Sequence, residues 1–298
     1  MERKVIFLER ICSKPRIIDC HTHIGNFMGI NNPMSPWDKV TLETLISFLD
    51  GTNASKAVVL SVYSWNNAAL IMPTPYVLEA CRKYPSRLIP FASLDVREPF
   101  FEEEIRLYLE MGCQGFGEYT CKVPVKHRIN LKLFEICAKF EIPVLIHLAT
   151  SENDPYGALD PDLSGLEKMA KKFSDVNFIM HGPGWWRHIS AEIPQGVGYP
   201  QGMIKEPGRA VSLLENYPNI FGDLSAFSGY NAIHRDLDFG KNFLEKLNRK
   251  LLYGTDLEAF FSPQHSLIDL FKNINIKLSS EIYDNILYKN LEELLPSS

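Results

Sequence analysis

The chain has few of the features that would place it outside ordinary globular enzymes. No apolar run approaches the 18 residues or more of a membrane-crossing helix. Near the start, Val5-Ile6-Phe7-Leu8 is cut short by Glu9 and Arg10, too brief for a secretory signal. The six cysteines, at 12, 20, 81, 113, 121 and 137, form no C-x-x-C pair. In a chain this long they read as reduced thiols of a cytoplasmic protein. There is no basic stripe, and the net charge is -5, so nucleic acid and membrane are not expected partners. A small-molecule substrate is expected instead. Linkers, low-complexity tracts and repeats are missing. So is a Gly-x-Gly-x-x-Gly after the first strand, which an open dinucleotide-binding sheet would often carry.

What is present is an alternation. Arg16 to Gly25 reads as a buried strand ending in histidines. A helix follows, with Thr41 as N-cap, Leu42, Leu45, Ile46 and Leu49 on one stripe, and Gly51 at its end. Lys56–Val62 is a continuous apolar run, as expected for a strand buried on both faces. Strands are then expected at Leu88–Leu94, Cys113–Glu118, Pro143–His147, Val176–His181, Asn219–Leu224 and Lys250–Asp256. Helices are expected at about Pro75–Tyr84, Phe100–Met111, Leu131–Phe140, through Leu166 and Phe173, up to Tyr217, and at Lys241–Asn248. Ser262-Pro263 would start another helix, and two amphipathic helices close the chain. Eight strands, each followed by a helix, predict a single-domain (β/α)8 barrel of the TIM type over 1–298.

Chemistry in such barrels sits at the C-terminal ends of the strands. Here those ends carry His21 and His23 (strand one), Glu118 (four), His147 (five), His181 (six) and Asp256 (eight). Any one of them could be a hydrogen-bonded core residue or a turn. Four histidines and two carboxylates at one end form a candidate metal site. Strand alternation gives Asp19, His21 and His23 a common face, with the two imidazoles about 7 Å apart along the strand and able to converge on one ion. Asp19 would then orient a ligand histidine or serve as a buried hydrogen-bonding group.

Five segments resemble the metal-dependent amidohydrolase superfamily: Asp19-Cys20-His21-Thr22-His23, Gly115-Phe116-Gly117-Glu118, Val144-Leu145-Ile146-His147, Phe178-Ile179-Met180-His181-Gly182 and Leu252-Tyr253-Gly254-Thr255-Asp256. Pro218-Asn219-Ile220-Phe221-Gly222-Asp223-Leu224-Ser225 is similar to strand seven of the amidohydrolase-related branch that also holds carboxymuconate-semialdehyde-type decarboxylases. The resemblance implies Zn2+, as one or two divalent ions. His21, His23 and Asp256 would hold the first ion, and His147 and His181 would bind a metal or the substrate. Asp256 would also act as general base. Glu118 would bridge two ions or be a hydrogen-bonded neighbour of one.

The implied reaction is hydrolysis of a small ester, lactone or amide by a metal-activated water. The alternatives are non-oxidative decarboxylation or hydration of a small carboxylic acid, and metal binding without turnover. After strand six, Gly182-Pro183-Gly184-Trp185-Trp186-Arg187-His188 offers a flat surface and a planar cation. Trp185 and Arg187 are therefore candidate substrate contacts. The tryptophans would otherwise pack the loop onto the barrel or meet a second copy in a homodimer.

Overall fold

The computed structural model describes residues 16–25, 40–66, 71–256 and 278–296. Strands β1 (Ile18–Thr22), β2 (Lys56–Leu60) and β3 (Leu88–Phe91) form one parallel group. Strands β4 (Phe116–Tyr119), β5 (Val144–His147), β6 (Phe178–His181), β7 (Ile220–Asp223) and β8 (Leu251–Leu252) form another. Backbone bonds close both seams. Ala92 N donates to Gly115 O at 2.9 Å and Gly117 N to Ala92 O at 2.7 Å. On the other side Cys20 N donates to Tyr253 O at 2.9 Å and Asp256 N to His21 O at 2.8 Å. The result is a (β/α)8 barrel.

Most of the helices lie where the stripes put them. They are α1 (Leu42–Thr52), α2 (Thr74–Lys83), α3 (Phe101–Glu110), α4 (Asn130–Lys139), α5 (Ser164–Lys172), the short α6 (Pro183–Trp186) and α7 (Arg209–Asn216). After β7 come α8 (Ala226–His234) and α9 (Leu237–Leu247). Thr41 caps α1, its hydroxyl accepting from Thr44 N. The helix runs past the expected stop at Gly51, and Asn53, in the left-handed conformation, ends it. Sequence periodicity missed α8, and it took as irregular the segment where α6 forms. Strand eight is shorter than expected, because the backbone after Leu252 bonds to β1 and to Ile286. The expected start of a helix at Ser262-Pro263 lies outside the described residues.

Alternate strand residues fill two cores. Ile18, Cys20, Val58, Leu60, Ile89, Phe91, Leu145, Ile179, Phe221 and Leu252 pack inside the barrel, plugged by Leu291 and Leu294 from the C-terminal helix. Their neighbours, such as Val59, Ile146, Phe178 and Met180, pack outward under the helices.

Two strands depart from strict alternation. On β1, Asp19 faces Ala57 and Thr22 faces Val59, three steps against two. On β4, Phe116 faces Val144 and Tyr119 faces Ile146, again three against two. Each strand therefore holds one extra residue, a bulge at the same end of the barrel. Bulges re-aim side chains. These two sit beside His21 and Glu118.

Candidate metal centre

Alternation alone would turn His21 away from Ile18 and Cys20, which point inward. The β1 bulge removes that constraint. Adjacent residues Cys20 and His21 reach the same carboxylate: Cys20 Sγ donates to Asp223 Oδ1 at 3.3 Å, and His21 Nδ1 lies 2.7 Å from Asp223 Oδ2. The expectation that Asp19 shares the histidine face is thereby corrected. Asp19 touches no imidazole among the described contacts. It accepts from His21 N at 3.0 Å, Thr255 N at 3.0 Å and Thr255 Oγ1 at 2.7 Å, tying β1 to the end of β8.

Four donor atoms then converge. His21 Nε2 and His23 Nε2 are 3.1 Å apart. Asp256 Oδ1 is 3.4 Å from each. Glu118 Oε2 is 3.5 Å from His23 Nε2 and 3.9 Å from His21 Nε2. A tetrahedral ion with ligands at about 2.0–2.2 Å has ligand–ligand edges of about 3.4 Å. The spacing fits that donor set.

The hydrogen bonds behind the rings make the fit sharper. His23 Nδ1 faces Leu60 O at 3.2 Å, and a carbonyl can only accept. His21 Nδ1 faces the Asp223 carboxylate. Both rings thus carry their proton on Nδ1 and aim an Nε2 lone pair at the centre. Two lone pairs at 3.1 Å repel unless a cation lies between them. Without metal that cation is a proton. Burial opposes charge on His23, but hydrogen bonds to Asp256 and Glu118 outweigh it and raise its pKa to about 10.

The carboxylates answer the same field. Burial would raise Glu118, yet hydrogen bonds from His147 and His23 hold it well below the usual carboxylate range. Burial would also raise Asp256, and the electrostatic pull of His21 with the His23 hydrogen bond lowers it.

His147 and His181 complete the cluster differently. His147 Nδ1 lies 2.7 Å from Glu118 Oε1, on the oxygen facing away from the histidine pair. Its ring fits because residue 182 is glycine; a Cβ there would come within 2.9 Å of His147 Nε2. His181 Nε2 is 4.0 Å from Glu118 Oε1 and 3.8 Å from Asp256 Oδ2. Glu118 therefore stands between two groups of nitrogens. All six strand-end residues are brought together. Asp256 is the most open, with 17% of its side chain exposed against 0% for His21.

Neither Trp185 nor Arg187 has a described contact with this cluster. Trp185 has no exposed surface and packs in the core, edge-on to Trp186 at 6.1 Å. Arg187 Nη1 donates to Thr150 O at 3.3 Å, and burial lowers its pKa. It is Trp186 that reaches toward the site, its indole Nε1 donating to Asp223 O at 2.8 Å.

Sequence reading overlooked Asp223 and Ser225. Ser225 Oγ donates to Asp223 Oδ2 at 2.8 Å and lies 3.0 Å from His181 Nδ1. The signal was present: strand seven carries a buried-type Gly222-Asp223 at its end, one residue before the apolar Leu224 taken as the strand end.

Comparison with known proteins follows the same lines. Forty-eight solved chains match this one. A probable 2-pyrone-4,6-dicarboxylic acid hydrolase from Acinetobacter baumannii, with citric acid bound, is 16% identical, with 94% of this chain and 98% of that one covered and a TM-score of 0.65. A 2,6-dihydroxybenzoate decarboxylase from Rhizobium is 14% identical, covering 94% and 98%, TM-score 0.59. A 5-carboxyvanillate decarboxylase from Novosphingobium aromaticivorans, complexed with manganese and 4-hydroxy-3-methoxy-5-nitrobenzoic acid, is 14% identical, covering 94% and 96%, TM-score 0.61. No curated protein matches in sequence. These likenesses speak for the barrel alone. The sequence itself matches a family over residues 18–296, and on that match the chain belongs to the amidohydrolase family.

Proposed function

We propose that the chain, as one catalytic unit over 1–298, is a metal-dependent hydrolase of a small ester, lactone or amide. The observation that carries the reading is the set of four converging donors: His21 Nε2 and His23 Nε2 lie 3.1 Å apart, and Asp256 Oδ1 and Glu118 Oε2 lie 3.4–3.9 Å from them. These residues would hold one divalent ion, zinc in our reading. Such an ion, when bound, supplies Lewis acidity and brings the pKa of a water down to about 7.

The chain's own part is proton handling. Asp256, the most exposed of the six side chains, directs Oδ1 to the histidine pair and keeps Oδ2 beside His181. An ionised carboxylate there takes a proton from the attacking water and returns it to the leaving oxygen or nitrogen. His181 Nε2, 3.8 Å from Asp256 Oδ2, offers a second proton-accepting atom next to it. His147 holds Glu118 by its far oxygen and so fixes the near one. A second ion would have to compete for that hydrogen bond, so we place it, if bound, as the weaker one at Glu118, His147 and His181.

Decarboxylation is the second reading, supported by the names of the two decarboxylases of similar fold. One experiment separates the two. The purified chain, with metal content measured, is assayed against panels of lactones, esters and amides and against aromatic and β-keto acids. Metal-dependent hydrolysis is expected. Release of carbon dioxide without any hydrolysis overturns the proposal in favour of the second reading. Titrating zinc into stripped protein counts the ions: full activity at one equivalent, with no further effect of Glu118→Gln on stoichiometry, leaves one.

A further inference from the structure

Asp223 sits behind the site, fully buried. Its Oδ2 faces three donors: His21 Nδ1 at 2.7 Å, Ser225 Oγ at 2.8 Å and His181 Nδ1 at 3.1 Å. Its Oδ1 faces two more, Ser225 N at 2.8 Å and Cys20 Sγ at 3.3 Å. An ionised carboxylate has about four lone-pair sites and no donor. Every one of them is used. Among the described residues, the five donors that face it leave no lone pair for a further partner. Gly254 keeps the space tight: a Cβ there would lie 2.8 Å from Asp223 Oδ1 and 2.9 Å from Cys20 Sγ.

We infer that Asp223, with Ser225, is a positioning pair that fixes the tautomer of two histidines of different duty at once. This rests on the proposed reading of the site. The logic is one of hydrogen counting. Ser225 Oγ has one proton, and it goes to Asp223 Oδ2. The hydroxyl oxygen is left as an acceptor toward His181 Nδ1, which lies 3.0 Å away. His181 therefore carries its proton on Nδ1, whether it gives it to Ser225 Oγ or to Asp223 Oδ2. His21, on the carboxylate directly, does the same. Both Nε2 atoms are left as lone pairs facing the centre, one for the ion and one for proton transfer. A partner behind a metal-binding histidine sets its tautomer and ring orientation, and its loss typically costs 10–100-fold in metal affinity or activity. Here one carboxylate does so for a histidine from β1 and another from β6.

Asparagine is the informative replacement. It keeps the shape but has one acceptor oxygen and one donating NH2. With the oxygen toward His21, the NH2 meets the Ser225 N–H and Cys20 S–H donors. With the NH2 toward His21, the ring must accept at Nδ1 and carry its proton on Nε2. Both placements fail one side.

The test uses the full chain labelled with 15N-histidine and stripped of metal with a chelator. Two-bond 1H–15N spectra then report which ring nitrogen holds the proton, and His21→Gln and His181→Gln assign the signals. We expect the Nδ1–H form for both rings in the native sequence. Asp223→Asn shifts at least one ring to Nε2–H and raises the Kd for zinc by about 10–100-fold. Ser225→Ala moves the His181 signal and leaves that of His21. If Asp223→Asn does not fold, the native spectrum and Ser225→Ala decide alone. A ring of either histidine protonated on Nε2 and not on Nδ1 in the native protein overturns the inference, and so does a folded Asp223→Asn with unchanged tautomers and zinc affinity. The spectra need neither substrate nor bound metal, so a failure to find hydrolysis leaves them standing.

Discussion

Two regions at the same end of this barrel both carried expected functional residues, and they met different fates. The strand ends converged: His21, His23, Glu118, His147, His181 and Asp256 each lie within hydrogen-bonding or ion-pairing distance of others in the set. The segment after β6 did not. Trp185 turned into the core and Arg187 onto the carbonyl of Thr150. Backbone hydrogen bonds in the ladders and just beyond them, such as Asp256 N to His21 O, tie the ends of neighbouring strands together and with them the side chains they carry. A connecting segment has no ladder, and its aromatic residues go wherever burial is greatest. Residue type is thus a better guide to which side chains come together at a strand end than in a long connection.

The largest effect expected from breaking this contrast is at the strand end. His21→Ala with His23→Ala removes two converging nitrogens. Metal binding and activity should be lost while circular dichroism still shows a folded barrel. Full metal content in the folded double variant would contradict the site.

Next comes Asp256→Asn. A general base is worth about 10²–10⁴ in turnover, so kcat should drop by at least about a hundredfold. Metal content, measured on the same sample, separates a lost base from a lost ligand. Near-normal turnover across pH would remove Asp256 from the chemistry.

On the other side of the comparison, Trp185→Ala should act through stability. Removing a fully buried tryptophan costs about 3–5 kcal/mol. A denaturant melt should show that loss, with KM little changed in the folded fraction. A large rise in KM with unchanged stability would return Trp185 to the substrate.

The smallest effect concerns His188, in the same segment. Burial, then the neighbouring Arg187 charge, lowers its pKa from 6.5 to about 4. The folded protein therefore binds fewer protons than the unfolded chain between those values. Stability should fall as pH drops from about 6.5 to about 4 and level off below. His188→Gln should flatten that part of the stability–pH curve. An unchanged slope would mean that other groups dominate there.

Much of this architecture was legible in the sequence. The unbroken apolar run at Ala57–Leu60 matches a strand buried on both faces, and β2 forms there. The stripe through Leu42, Leu45 and Leu49 matches an amphipathic helix, and α1 forms there. Repeated eight times, those patterns leave the closed barrel as the economical way to bury every strand. Strand ends then collect their side chains at one face, whatever the loops do.

Three things were decided only in three dimensions. The bulges on β1 and β4 turn His21 and Glu118 inward, and they exist because the neighbouring strands pair in a shifted register, which a local pattern does not record. Asp223 became the hub behind two histidines because β7 lies next to β6 and only β8 separates it from β1 around the closed barrel, although Asp223 and His21 are 202 positions apart in the chain. Trp185 and Arg187 were placed by packing, which rewards burial of an indole wherever room remains. Sequence by itself determined which residues could do the chemistry and on which end of the barrel they stand. The fold decided which atoms of those residues face each other, because that depends on register and on contacts between strands far apart in the chain.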